Sequence, residues 1–146
     1  MSEINNPFIG TWKLISWENT DSGNQVTYPY GKNPVGYLIY TADGFMAVQI
    51  MNRDRGQGNP DFPLEAAFRQ TLPDKDRLMA YNTYLAYCGF YSYSMDEQMI
   101  THHVKVGLIP GWSGKDQLRH FEFKDEKIIL GNKSAQLIWE RAIDHA

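Results

Sequence analysis

Residues 100–123, ITHHVKVGLIPGWSGKDQLRHFEF, most restrict what this chain can fold into, because they combine strand alternation with ionisable side chains on the apolar face. Strand side chains point alternately to opposite faces. Ile100, His102, Val104 and Val106 therefore share one face, and Met99, Thr101, His103 and Lys105 share the other. After a loop bearing Pro110, Gly111 and Gly114, the same parity puts Arg119 with Phe121 and Phe123, opposite Leu118, His120 and Glu122. Two strands thus aim a histidine and an arginine inward. A buried arginine without partners is expensive, so the interior should also supply acceptors, waters or a ligand. His102 and Arg119 are the candidate functional centre.

The rest of the chain reads as short strands separated by turn formers. Residues 10–18, GTWKLISWE, place Gly10, Trp12, Leu14 and Ser16 on one face and Thr11, Lys13, Ile15 and Trp17 on the other. Residues 19–33 are rich in turn formers and read as a mobile rim loop, with at most a short extended piece near Gln25. Residues 35–41 and 45–52 are two strands, and Ala42, Asp43 and Gly44 between them carry the Asp-Gly signal of a tight hairpin. RDRGQGNPDFP, from Arg53, has no apolar periodicity and reads as loop. Leu64, Ala67 and Phe68 then recur at helical spacing, as do Leu78, Tyr81, Leu85 and Cys88. Pro73 and Asp74 suit a first helical turn, and Gly89 is the expected stop. Residues 89–95 alternate Tyr91, Tyr93 and Met95 against Phe90, Ser92 and Ser94. Lys124, Asp125 and Glu126 turn the chain into a strand at 128–131, and 135–141 form the last. About eight short strands with a helical insertion over 62–88 indicate a mainly β sandwich or barrel.

At 146 residues the size fits one domain spanning 1–146 that buries a core without staples. The single cysteine cannot form an internal disulfide, and the N-terminus lacks a basic start followed by an apolar run, so the expected location is cytoplasmic. No apolar run reaches the ~18–20 residues needed to cross a bilayer. A net charge of -3 gives no basic field for a phosphate backbone. The expected partners are a small-molecule ligand or substrate, with no nucleic acid and no membrane span; a homodimer is an allowed assembly. Nine tyrosines in a chain that is 14% aromatic favour a lined interior over a minimal core, because each ring brings an apolar body and a polar tip.

The opening Gly10-Thr11-Trp12 resembles the glycine-x-tryptophan signature of the first lipocalin strand. GTWKLISWE, NPVGYLIYTADGFMAVQI, YLAYCGFYSY, residues 100–123 and LIWER together resemble the bacterial and fungal lipocalin-like domain proteins, in order and over most of the chain. The resemblance implies an antiparallel lipocalin-like β-barrel of about eight strands with an internal pocket. It also implies that Trp12 packs at the closed end with Arg141 across its face, a structural pair. The helical insertion would pack against the barrel or close one end.

Within such a barrel, His102 is either a core histidine satisfied by a tyrosine or a backbone carbonyl, or a group that shares a ligand oxygen with Arg119. Tyr40, Tyr91, Tyr93, Trp112 and Phe121 are the expected ligand-binding residues, with Trp112 on a loop able to cover the mouth. His102 and His103 face opposite sides and cannot hold one ion, and no HxxxH or CxxC accompanies them. No metal is expected. No glycine-rich phosphate loop follows a strand, so no cofactor is expected. Cys88, on the predicted helix's apolar stripe, reads as an inert core thiol. Two functions follow: a module binding a small, partly apolar molecule bearing a carbonyl, phenol or carboxylate, or a cofactor-independent isomerase, cyclase or dehydratase. In the second, His102 moves a proton and Arg119 stabilises an anion. A protein–protein module built on exposed edge strands has only its generic availability in favour.

Overall fold

The computed structural model describes residues 5–56 and 73–142. Its strands are β1 (Gly10–Thr20), β2 (Val26–Thr27), β3 (Val35–Tyr40), β4 (Phe45–Met51), β5 (Tyr84–Ser94), β6 (Met99–Gly107), β7 (Asp116–Lys124), β8 (Lys127–Gly131) and β9 (Ala135–Arg141), with one helix, α1 (Asp74–Asn82), between β4 and β5. The sheet runs β2-β1-β3-β4-β5-β6-β7-β8-β9, and β1 also pairs with β9. Every pairing is antiparallel. The result is a closed eight-stranded antiparallel barrel to which β2 adds a short outer strand. Closure removes the unpaired edges that an open sheet of this size would present.

Local chemistry sets the turns. Gly44 has φ 97, supplying the left-handed residue of the β3–β4 hairpin. Asp125 and Glu126 have φ 53 and 63, so the β7–β8 connection is a two-residue turn of the type whose twist matches its strands. The loop after β1 is tied by the Asp21 carboxylate, which accepts from the N–H groups of Gly23 and Gln25 at 2.9 and 2.8 Å.

Two β-bulges overturn the simple parity. Between Leu14 and Ser16 the β1–β9 register shifts, so Ile15 is the extra residue. Trp17, on the outward face by strict alternation, consequently packs inside with Leu137 opposite it. Between Val104 and Val106 the β5–β6 register shifts at Lys105. Val104 is buried while Val106, expected on the same face, is 65% exposed. Gly89 lies across from this second bulge, and a Cβ there would stand 2.0 Å from the His103 carbonyl oxygen. Gly89 therefore permits the close backbone approach within β5 and ends no helix.

The expected helix over 62–88 is corrected accordingly. Residues 57–72, with Leu64, Ala67 and Phe68, lie outside the described residues, and α1 ends at Asn82. Leu85 and Cys88 belong to β5, where Leu85 faces inward and Cys88 sits half-buried on the outside between Ala47 and Val106. YLAYC fits both periods; seven pairs with β4 and continuation into the aromatic alternation beyond Gly89 decide for the strand. No described helix is long and apolar enough to cross a membrane.

Candidate functional site

The barrel has two chemically different ends. At one, Phe8 is fully buried and packs edge-on or tilted against Tyr40, Tyr93, Phe121 and Phe123, with ring centroids 4.9–5.5 Å apart. Trp12 donates its indole N–H to the Phe8 carbonyl at 2.9 Å, and the Arg141 guanidinium stacks over Trp12 at 4.0 Å. Arg141 also donates to the carbonyls of Ile9 and Pro7 at 2.5 and 2.9 Å. Gly10 has φ 130, and a Cβ there would meet the Arg141 guanidinium at 2.5 Å, so the residue before Thr11 must be glycine for the arginine to lie flat. A cation over an indole contributes about 0.5–2 kcal/mol. This end is closed.

At the other end a cavity of about 70 Å³ lies inside the barrel, walled by His102, Arg119, Tyr87, Trp17, Trp112 and Trp139, with aliphatic residues between them. By the same measure a water needs ~10–15 Å³, so the space suits something of roughly one ring. Trp112, in the 108–115 loop, packs edge-on against Tyr87 with centroids 5.8 Å apart and forms part of the wall. Trp17 packs edge-on against Tyr30 of the β2–β3 loop, with centroids 4.9 Å apart.

His102 is 2% exposed. Its Nε2 lies 2.6 Å from the Tyr40 hydroxyl and its Nδ1 2.7 Å from the Tyr87 hydroxyl. Burial, then the Arg119 charge and His103, push its pKa down to about 3, so the ring is neutral at physiological pH. Burial raises Tyr87 to about 12 and Tyr40 well above the usual phenol value. All three groups are therefore uncharged, and each ring nitrogen is occupied.

Arg119 is diagonal to His102: β7 places Arg119 across from Ile100 and Gln117 across from His102. Its guanidinium donates to the Leu118 carbonyl at 2.9 Å and the Gln117 side-chain oxygen at 3.3 Å. No acidic side chain among the described residues forms an ion pair with it. Trp139, in β9, is 1% exposed, and its indole N–H has no hydrogen-bond partner among the described residues.

Of the residues singled out from sequence, the structure brings His102, Arg119 and Trp112 to the cavity. Tyr40 stands behind His102 as its hydrogen-bond partner. Phe121 packs on Phe8 at the closed end. Tyr91 and Tyr93 lie there too, beside an open surface depression of about 540 Å³ that also includes Asn6 and Ser92. The Tyr91 hydroxyl donates to the Thr41 carbonyl at 2.7 Å and accepts from Asn6 at 2.9 Å. These rings sit away from the cavity because the inward row of β5 runs the full barrel length: Leu85 and Tyr87 reach the cavity, and Tyr91 and Tyr93 lie towards the closed end. Tyr87, Trp17 and Trp139 were not singled out as site residues. The alternation Leu137, Trp139, Arg141 in LIWER could have found the last, whereas Tyr87 was hidden by the helical reading and Trp17 by the bulge.

On the outer face the His103 ring lies between the Ser92 hydroxyl and the Asp116 carboxylate, both at 2.9 Å. This row crosses β5, β6 and β7 on the solvent side, with Asp116 half exposed. Water screens such a network and leaves it little energy.

A closed barrel with an interior cavity at one end and a tryptophan–arginine plug at the other defines a lipocalin-type architecture. The model of the lipocalin-like domain family matches residues 9–144, and the chain belongs to that family. A search of characterised proteins finds no match. Among solved structures the chain is similar to a crystal structure of a mutant of the fluorescent protein UnaG, with 17% identity, 99% of this chain and 100% of that chain covered, and a TM-score of 0.38. That likeness is too low to carry functional information.

Proposed function

We propose that this protein binds a small, partly apolar organic molecule of about one ring, with an oxygen substituent, in the cavity walled by Trp17, Trp112 and Trp139. The carrying observation is the cavity itself: an apolar, aromatic wall interrupted by few polar groups is how small-molecule sites combine affinity with orientation. Membership of the lipocalin-like family supports the same reading by analogy of fold.

The enzymatic alternative, an isomerase, cyclase or dehydratase using His102 as acid and base, receives less support. A general base works best with a pKa near the operating pH, and His102 is held near 3 with both nitrogens engaged. Protonating it would also leave one tyrosine hydroxyl proton without its acceptor inside the core. Binding needs no such change of charge.

Titrating a panel of single-ring compounds while following tryptophan emission tests the reading. Saturable quenching by at least one compound is expected, with loss of that response in Leu137→Phe, which narrows the cavity from a half-buried wall position. A folded Leu137→Phe protein with unchanged quenching would show that the probes bind elsewhere.

A further inference from the structure

The cavity's polar groups divide unequally into donors and acceptors, and the division can be worked out from the hydrogen bonds. A neutral imidazole carries one N–H and one lone pair, so one tyrosine donates to His102 and the other accepts from it. The Tyr40 hydroxyl is wholly buried, and its partner is His102 Nε2. If Tyr40 accepted from Nε2, its own O–H would be left in the core with no acceptor, at the full desolvation cost of an unpaired donor. Tyr40 therefore donates to Nε2, and the imidazole proton sits on Nδ1, which donates to the Tyr87 hydroxyl oxygen. Tyr87 lines the cavity and keeps its own O–H unspent.

The other polar groups on the wall point the same way. Trp139 can only donate, and its N–H is unpartnered among the described residues. Arg119 can only donate, and it faces carbonyl and amide oxygens with no carboxylate to balance its charge among the described residues. Among the described residues the wall carries no aspartate or glutamate. Three donor-bearing residues, Tyr87, Trp139 and the cationic Arg119, line a space with aromatic and aliphatic sides.

We infer that the ligand is an organic acid: a carboxylate that accepts from the Tyr87 hydroxyl, the Trp139 indole N–H and the Arg119 guanidinium, carried on an apolar body that lies against Trp17 and Trp112. This rests on the cavity being a binding site, and it selects the carboxylate from the oxygen-bearing groups that such a site could take. A neutral alcohol of the same shape brings a hydroxyl proton for which the wall, among the described residues, offers only the Tyr87 oxygen, which already accepts from His102. A ligand with an ammonium group would meet the Arg119 charge.

Benzoate and benzyl alcohol share one ring and differ in the group that matters, so they form the test pair. Each is titrated into the unmodified protein at pH 7 and followed through the tryptophan indole N–H signals in two-dimensional 1H–15N NMR, with the Trp139 signal assigned by its loss in Trp139→Phe. The expected result is a downfield shift of the Trp139 proton with benzoate, at least tenfold tighter binding of benzoate than of the alcohol, and less than a twofold preference in Arg119→Met. Tyr87→Phe should weaken benzoate severalfold and leave the alcohol unchanged. Equal binding of the two compounds, or benzoate binding that leaves the Trp139 signal in place, overturns the acid assignment while the binding site stands. If neither compound moves the signals of Trp17, Trp112 or Trp139, both the acid assignment and the binding site fall. The comparison on the unmodified protein holds even if a variant does not fold.

Discussion

His102 and His103 are consecutive residues of β6 and occupy opposite physical worlds. His102 points into the barrel, has each ring nitrogen on a tyrosine hydroxyl, and is held neutral by burial and the Arg119 charge. His103 points out, between a serine and an aspartate, in contact with water. The outer row has the residue types of a nucleophile relay, yet the inner one organises the protein. Hydrogen bonds matter most where water cannot replace them. Residue type alone does not decide which histidine counts; the face of the strand does.

The sharpest way to break this contrast is truncation. His102→Ala opens a cavity and strands the Tyr40 hydroxyl in the core, so a loss of about 3–5 kcal/mol is expected from urea denaturation. His103→Ala should cost less than about 1 kcal/mol. Similar losses for the two would end the distinction.

Acid provides the next largest effect. An unfolded histidine takes up a proton near pH 6.5, whereas folded His102 resists protonation until about pH 3. The stabilisation from keeping it neutral is fully present above pH 6.5 and is lost as pH falls from 6.5 towards 3, on the order of 5 kcal/mol in total. His102→Gln, which can still bond both tyrosines, should flatten the dependence of the urea midpoint on pH across that window, and His103→Gln should keep the wild-type slope. Parallel slopes in wild type and His102→Gln would show that His102 does not carry the acid sensitivity.

The smallest effect sharpens the outer half of the comparison. Asp116→Asn removes the carboxylate beside His103 and should change stability by less than about 1 kcal/mol, with less effect still in high salt. A loss above about 2 kcal/mol in thermal or urea unfolding would make the outer row a structural element in its own right.

Much of this was legible in the sequence. Alternation alone turned His102 and Arg119 inward, the Asp-Gly pair marked the β3–β4 turn, and the resemblance to lipocalins placed Arg141 over Trp12. What alternation cannot show is a bulge, because the extra residue is an ordinary Ile15 or Lys105 and the change of parity comes from the partner strand. Trp17 and Val106 therefore landed on the wrong faces. Leu85 and Cys88 satisfied helical spacing as well as strand spacing, and only the presence of β4 alongside resolves them. The partners of His102 were foreseen as a type, a tyrosine or a carbonyl, but choosing Tyr40 and Tyr87 among nine tyrosines requires the sheet order.

The seam between β1 and β9 also governs when the protein can finish folding. Arg141 and Ile9, bonded across it, are 132 residues apart in the chain. On a ribosome, β1 would find β3 soon after both emerge, but its other edge must wait for β9, which follows all the other described strands. Until then the growing sheet has two open edges and no sealed interior, the state in which strands most readily pair with the wrong chain. Contacts this remote in sequence are slow to form. The arginine that plugs the barrel also sits in the last of the described strands, so sealing this end is a late step in the folding of the barrel.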